Sequence, residues 1–95
     1  MSEKVNVKIL YFAKIKEIMK KSFDTVYLNN NKILGKDVFD YAITQNSDLI
    51  NELKPVFDTC LISLNDEYIE REQEILLKQG DEISILPPIS AGWTY

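Results

Sequence analysis

The sequence predicts an α+β domain in which a mixed β-sheet packs on one main helix. Three observations lead to this prediction. Apolar, strand-like segments lie near both ends of the chain, at residues 5–12 and 82–86. The clearest helical pattern, residues 35–46, lies between them. A length of 95 residues allows one hydrophobic core and not two. We therefore expect a single domain over residues 1–88, followed by a tail at 89–95.

The individual elements follow from the spacing of the apolar residues. Strands are predicted where apolar residues alternate or run continuously: residues 5–12, 23–28, 60–64 and 82–86. The first two are expected to pair as a hairpin. Helices are predicted where apolar residues recur at helical spacing: residues 13–21, the main helix 35–46, and one or two further turns that end before Pro55. Asp37 is the expected cap of the main helix.

Turns and breakers complete the order of elements. The three asparagines at residues 29–31 predict a polar turn, because Asn tolerates left-handed backbone and bonds its own chain. Further turns are predicted at residues 65–67 and at Gly80 and Asp81, and Pro87 ends the last strand because it cannot donate a ladder hydrogen bond. The order ββαββ around one helix is the β-grasp, or ubiquitin-like, roll.

Charge and composition exclude several classes of function. The formal net charge is -4, so the chain offers no broad basic surface for phosphates, and we expect no nucleic-acid partner. The lysines of residues 14–21 are interpreted as a solvated helix face. No apolar run has the length of a membrane helix and no signal-peptide core is present, so we expect a cytoplasmic protein that does not enter membranes.

The scarcity of reactive side chains limits the chemistry of the chain itself. Histidine is absent and Cys60 is the single cysteine, which removes most metal sites and catalytic triads. Cys60 lies in an apolar strand, so it is interpreted as a core thiol. The acidic run at residues 67–74 lacks ligand spacing and is interpreted as a solvated face, so no metal site is predicted.

Two stretches carry a family resemblance: KILYFAKIKEI at residues 8–18 and GDEISILPPISAG at residues 80–92. Together they resemble the small subunit of molybdopterin synthase, a ubiquitin-like sulfur carrier of the MoaD/ThiS type. The order of helices and strands agrees over residues 5–92. The sulfur carrier of thiazole synthesis has the same fold but is less similar to this sequence.

The resemblance implies a function that depends on the tail. In this family, a ubiquitin-activating-like adenylyltransferase uses ATP to adenylate the carboxylate of a terminal glycine, which then becomes a thiocarboxylate. The thiocarboxylate donates its sulfur to a cyclic pyranopterin in the large subunit, within an expected heterotetramer of two large and two small subunits. The chain would then be a sulfur-donor subunit with no bound cofactor and no catalysis of its own.

The same resemblance implies partner-binding residues. Phe12, Leu61 and Leu86 match family positions on the apolar face that meets the large subunit and the activating enzyme. Pro87 and Pro88 would direct the tail. The alternative is that Phe12, Leu61 and Leu86 are simply core residues, as apolar strand residues usually are.

The tail departs from the family pattern. The family ends in Gly-Gly, whereas this chain has Ala91 and Gly92 followed by Trp93, Thr94 and Tyr95. Three explanations stay open: a protease removes the last three residues and exposes Gly92, the intact tail marks a non-carrier interaction module, or the extension reflects misplaced gene boundaries or cloning. The aromatic side chains could also simply fold back on the surface. A carrier for another pathway, with a thiazole or a tRNA base as acceptor, is a further alternative.

Overall fold

A five-stranded mixed sheet organises the molecule, a computed structural model that describes residues 4–87. The strands within these residues are β1 Val5–Tyr11, β2 Phe23–Leu28, β3 Lys32–Leu34, β4 Leu61–Leu64, β5 Glu67–Ile69, β6 Glu74–Leu76 and β7 Glu82–Leu86. The helices are α1 Ala13–Met19, α2 Asp37–Gln45 and α3 Ile50–Phe57, with a short 3-10 turn at Ser47–Leu49. The main sheet has the order β2-β1-β7-β4-β5, and β3 pairs with β6 in a separate two-stranded sheet.

The centre of the main sheet joins the two ends of the described chain. β1 and β7 are parallel neighbours, with Ile9 opposite Ile83 and Tyr11 opposite Ile85. All other strand pairs are antiparallel, including the β1–β2 hairpin that the sequence predicted. The prediction of an α+β β-grasp roll with a mixed sheet is therefore confirmed.

One hydrophobic core lies between the helices and the inner face of the main sheet. Alternate residues of β1 and β7 point into it, as the two-residue period of a strand requires. The helices and strands contribute side chains that are almost fully buried: Ile9, Ile15, Val38, Ala42, Leu53, Ile83 and Ile85. Each buried aliphatic side chain of the size of Leu or Ile contributes about 1.5–3 kcal/mol. No helix within residues 4–87 is long and apolar enough to cross a membrane.

The prediction that the helical turns after the main helix end before Pro55 is wrong, because α3 continues to Phe57. A proline inside a helix removes one hydrogen bond to the carbonyl four residues earlier, which here belongs to the exposed Asn51. Leu53 and Phe57, four residues apart on one helix face, are both buried. Their burial offsets the lost bond, and two helices of similar length, α2 and α3, therefore pack with the sheet instead of one.

Arg71 corrects the interpretation of residues 67–74 as a uniformly solvated face. Its guanidinium donates hydrogen bonds to the backbone carbonyls of Phe57, the last residue of α3, and Cys60, shortly after it. It also lies over the Phe39 ring, 4.4 Å from the ring centroid. Phe39 and Phe57 pack with their centroids 5.1 Å apart. Arg71 therefore fastens α2 and α3 to the loop after β5, while Glu70 and Glu72 beside it are exposed.

The small sheet of β3 and β6 was not predicted. Ile33 and Ile75 are register partners, and both are buried. Strands of three residues show too little alternation to be recognised in a sequence. The polar turn predicted at residues 29–31 is present, and the Asn30 side chain accepts a hydrogen bond from the Lys32 backbone, 3.1 Å away.

The prediction that Asp37 caps the main helix is also wrong. Asp37 is the first helical residue, and the residue before it, Lys36, makes no side-chain capping bond. The Asp37 carboxylate instead accepts a hydrogen bond from the Leu34 backbone N–H, 2.9 Å away. Asp37 thus holds the end of β3 against the start of α2.

A polar cluster is enclosed beside the core, centred on Asp24. One oxygen of its carboxylate accepts bonds from the Tyr11 hydroxyl at 2.6 Å and the Asn46 amide at 2.8 Å, and the other accepts from the Lys21 ammonium at 2.8 Å. Burial alone would raise the pKa of Asp24. The hydrogen bonds from Lys21, Tyr11 and Asn46 and the charge of Lys21 outweigh it, so the pKa lies below its usual range.

We expect Asp24→Asn to lower the free energy of unfolding at neutral pH by about 1–3 kcal/mol, because the variant removes charge-assisted hydrogen bonds. Because the pKa of Asp24 is lowered in the folded state, its carboxylate stabilises the fold at pH values above the ordinary Asp pKa. This stability is lost as the pH falls through the lowered pKa. Urea unfolding from pH 7 downward should therefore show the wild-type curve converging on that of Asp24→Asn. Asp58→Asn, at an exposed carboxylate, is the control. Parallel curves at all pH values would contradict the role of Asp24.

Candidate functional site

The outer face of the main sheet, opposite the core, presents an apolar surface that two small serines interrupt. The strand registers place one residue from each of the five strands in a single row, in the order Phe23, Leu10, Ser84, Ser63 and Tyr68. Phe23 and Tyr68 at the two ends are 44% and 61% exposed. The two serines in the middle are small. The row is therefore a shallow trough with an aromatic side chain at each end.

A second group of apolar residues lies beside this row, at the end of the sheet where β7 finishes. Leu86 of β7 and Leu61 of β4 are register partners, and each is half-buried. Phe12 follows β1 with extended backbone, which places it on the same face as Leu10 two residues earlier. Its side chain is 41% exposed. We call the six apolar residues of this surface the outer apolar face: Leu10, Phe12, Phe23, Leu61, Tyr68 and Leu86.

The sequence-predicted binding residues can now be placed. Phe12, Leu61 and Leu86 lie together on the outer apolar face and not in the core, so the alternative interpretation as core residues does not hold. Pro87 is half-buried directly after β7. Pro88, Ala91 and Gly92 lie outside the described residues.

Three members of the outer apolar face were not predicted: Leu10, Phe23 and Tyr68. A signal for them was present in the sequence. Once Val5, Val7 and Ile9 are assigned to the core, the alternation of the strand places Leu10 on the opposite face. An apolar residue on a solvent-facing position of a strand indicates a binding surface when others lie next to it.

Charged residues border the apolar face. Lys8 and Glu82 are register partners on β1 and β7 and lie on the same side of the sheet as Leu10. The Lys8 ammonium lies over the Phe23 ring, 4.8 Å from its centroid. A polar border around an apolar centre is the usual composition of a protein-binding surface.

Cys60 does not belong to the outer apolar face. Its side chain is buried, and its thiol lies 3.1 Å from the Val56 carbonyl, to which it donates a hydrogen bond. Burial raises the pKa of the thiol to about 11, although the Arg71 charge lowers it in part. The thiol is therefore protonated at neutral pH and is a poor nucleophile. The interpretation of Cys60 as a core thiol is confirmed.

The described residues carry an exposed apolar face and little chemistry. Among residues 4–87, no three His, Cys, Asp or Glu side chains are grouped so that they could hold a metal ion. The outer apolar face contains no ionised nucleophile or base. It leads instead, through Leu86 and Pro87, into residues 88–95.

Comparison with known proteins identifies the family. The chain matches the ThiS family over residues 9–92. It belongs to the ThiS family. Curated relatives include the molybdopterin synthase sulfur carrier subunit of Dictyostelium discoideum, which is 33% identical over 90% of this chain and 94% of its own length. The corresponding subunit of Chlamydomonas reinhardtii is 33% identical over 93% of this chain and 100% of its own length.

Solved structures show the same fold. SAMP1 from Haloferax volcanii superposes with a TM-score of 0.70 at 20% identity, over 92% of this chain and 99% of that one. At this identity the similarity supports the fold alone. The complex of subunits 1 and 2 of molybdopterin-converting factor from Helicobacter pylori contains a chain that is 27% identical, with a TM-score of 0.51, over 93% of this chain and 100% of that one.

Proposed function

We propose that this ThiS-family chain is the sulfur-carrier small subunit of molybdopterin synthase and acts in the cytoplasm in molybdenum cofactor biosynthesis. The observation that carries the proposal is the 33% identity to sulfur carrier subunits over nearly the whole of each chain. The geometry supports it, because β7 presents Leu86 on the outer apolar face and then leads directly towards the tail. A carrier needs a docking surface next to a reactive end, and both are expected here.

The proposed reactive atom is the carboxylate carbon of Gly92. An adenylyltransferase that resembles ubiquitin-activating enzymes would join this carboxylate to the AMP part of ATP, releasing pyrophosphate. The resulting carbon is electrophilic, so a sulfur donor can displace AMP and leave a thiocarboxylate. In this scheme the adenylyltransferase binds ATP. The Cys60 thiol is buried and protonated, so Cys60 is unsuitable as the source of that sulfur.

The outer apolar face is the proposed docking surface for the large subunit. Phe12, Leu61 and Leu86 would form its centre nearest the tail, and Pro87 and Pro88 would restrict the direction in which the tail leaves. The Helicobacter pylori structure supports a two-subunit assembly, since it is a complex of subunits 1 and 2. We extend this to a heterotetramer with two copies of each subunit, in which the thiocarboxylate reaches a cyclic pyranopterin held by the large subunit.

The last three residues are proposed to be removed before activation. Trp93, Thr94 and Tyr95 would move the terminal carboxylate about 10 Å beyond Gly92, and their aromatic side chains would have to pass wherever Ala91 and Gly92 must fit. Glycine suits a narrow channel because it has no side chain. Ala91 adds a single methyl group at the preceding position.

The test compares chains that end at Gly92 and at Tyr95, each combined with ATP, the activating enzyme, a sulfur donor, the large subunit and the cyclic pyranopterin. We expect the Gly92-ended chain to be thiocarboxylated and to form molybdopterin. The Tyr95-ended chain should be at least about a hundred-fold slower, because its carboxylate is misplaced. Ala91→Gly in the Gly92-ended chain is the matched control and should retain activity.

Intact mass of the protein from its native cell provides the independent readout. A chain that ends at Gly92, heavier by the difference between one sulfur and one oxygen atom, is the expected species. Equal activity of the two chains would contradict the trimming. A chain that keeps Tyr95 in the cell and is never thiocarboxylated would instead favour a ubiquitin-like interaction module.

A further inference from the structure

β2 forms one edge of the main sheet, and its free side is unusually well suited to pair with another strand. The Tyr11 backbone N–H donates to the Ser22 carbonyl at 2.8 Å, which fixes the phase of the β1–β2 ladder. In antiparallel pairs, hydrogen-bonded and non-hydrogen-bonded residues alternate. Asp24, Val26 and Leu28 therefore bond to β1. The backbone groups of Phe23, Thr25 and Tyr27 point away from the sheet.

These outward-pointing groups are largely free within the described residues. None of the three N–H groups donates to a backbone or side-chain acceptor there. The Thr25 carbonyl accepts only a long contact from the exposed Gln45 amide, at 3.5 Å. The three side chains are also exposed, Tyr27 by 72%. The edge thus offers three N–H donors and three carbonyl acceptors over about 17 Å of strand.

Most of the usual protection of an edge strand is missing here. Sheet edges are normally blunted by lysine, proline, a bulge or an inward charge. β2 contains neither lysine nor proline. Its single charge, Asp24, points inward, but it is bonded to Tyr11, Lys21 and Asn46 within the chain and leaves the outward side of the strand free. The opposite edge differs, because β5 contains Glu67 and is flanked by Asp66 and Glu70. Like charges oppose self-pairing at β5, whereas nothing comparable opposes it at β2.

We propose that two copies of this chain associate through antiparallel pairing of their β2 strands, centred on Thr25. In this register Thr25 lies opposite Thr25 of the second copy, and Phe23 lies opposite Tyr27. All three pairs fall at positions whose backbone groups point outward, so the ladder of one copy continues into the other. The side chains meet on the outer face as two aromatic pairs, which stabilise neighbouring strands.

The length of the seam determines the strength of the dimer. Stable interfaces bury about 1,200–2,000 Å², and a short strand seam offers much less. We therefore expect a reversible dimer with a dissociation constant of about 0.1–1 mM. Gln45 competes for the Thr25 carbonyl, so Gln45→Ala should tighten the dimer slightly.

Sedimentation of the full chain over a concentration series tests the proposal. The mass should rise from 11.0 kDa towards twice that value as the concentration approaches the dissociation constant. Tyr27→Lys places a charge in the seam and should abolish the dimer. Tyr68→Lys, at an exposed tyrosine on the other edge strand, should leave it unchanged. A monomer at all concentrations, or a dimer that survives Tyr27→Lys, would overturn the proposal.

Disulfide trapping tests the register separately. Hydrogen-bonded antiparallel partners have Cα atoms about 5.5 Å apart, within the range that a disulfide spans. Under mild oxidation, Thr25→Cys should form a covalent dimer several-fold faster than the exposed helical control Thr44→Cys. The native Cys60 is buried and should not contribute. Equal rates for the two variants would reject pairing centred on Thr25.

Discussion

Replacing Leu86 with glutamate should weaken binding to the large subunit of molybdopterin synthase by at least about 30-fold, the effect of losing one central contact residue. Leu86 lies on the outer apolar face beside its register partner Leu61, at the end of the sheet that leads to the tail. A carboxylate there would lose its hydrating water on binding and gain no hydrogen-bonding partner within the apolar contact. Titration calorimetry with the purified large subunit measures the change.

The control for this prediction is Leu76→Glu. Leu76 is 60% exposed and lies on β6, in the small sheet and away from the outer apolar face. It should bind like the wild type. Both variants should unfold near the wild-type temperature, because neither leucine belongs to the core. Similar losses for Leu86→Glu and Leu76→Glu, or none for Leu86→Glu, would place the docking surface elsewhere.

Gly35→Ala should destabilise the fold strongly, lowering the free energy of unfolding by about 3 kcal/mol. A methyl group at Gly35 would collide with the backbone carbonyl of Glu70 and press on the Ile69 side chain. Backbone cannot turn aside as a long side chain can. The adjoining loops are also joined by bonds of 2.8 Å, from Gly35 N–H to Gln73 and from Lys36 N–H to Arg71.

Gly80→Ala is the matched control, because Gly80 is required for its backbone conformation and not for lack of space. Nothing lies within 4 Å of a methyl group at Gly80, but its φ of 86° is in the left-handed region. The variant should cost about 1 kcal/mol. Thermal unfolding should thus show a shift of about 12–24 °C for Gly35→Ala and about 4–8 °C for Gly80→Ala. A larger shift for Gly80→Ala than for Gly35→Ala would mean that the loop at Glu70 moves easily to accommodate the methyl group.

Long elements could be predicted from the sequence and short ones could not. The alternation of β1 and the helical spacing of α2 each run over enough residues to decide the type of element. β3 and β6 have three residues each, so their pairing depends on the burial of Ile33 and Ile75, which is known only once the fold is formed. Pro55 misled the prediction because a local rule was overridden by the packing of Leu53 and Phe57.

The outer apolar face shows the same division. Phe12, Leu61 and Leu86 were identified through their match to family positions, since an apolar strand residue looks the same in a sequence whether it faces the core or the solvent. The register of the five strands is needed to bring Leu10, Phe23 and Tyr68 into the same surface. The contacts of Arg71 could not be predicted, because its hydrogen-bond acceptors are backbone carbonyls, which carry no sequence signal.

The parallel pairing of β1 with β7 also bears on how the chain is made. The middle of the sheet cannot close until both strands exist, and they are the first and last strands of the described chain. Contacts between such distant segments form slowly, because the loop between them must be ordered first. During synthesis, β1 and β4 would each lack β7, the strand that lies between them, until Ile85 has been added to the chain. Folding is therefore a late event, and nascent chains that stop before β7 are exposed to aggregation and degradation.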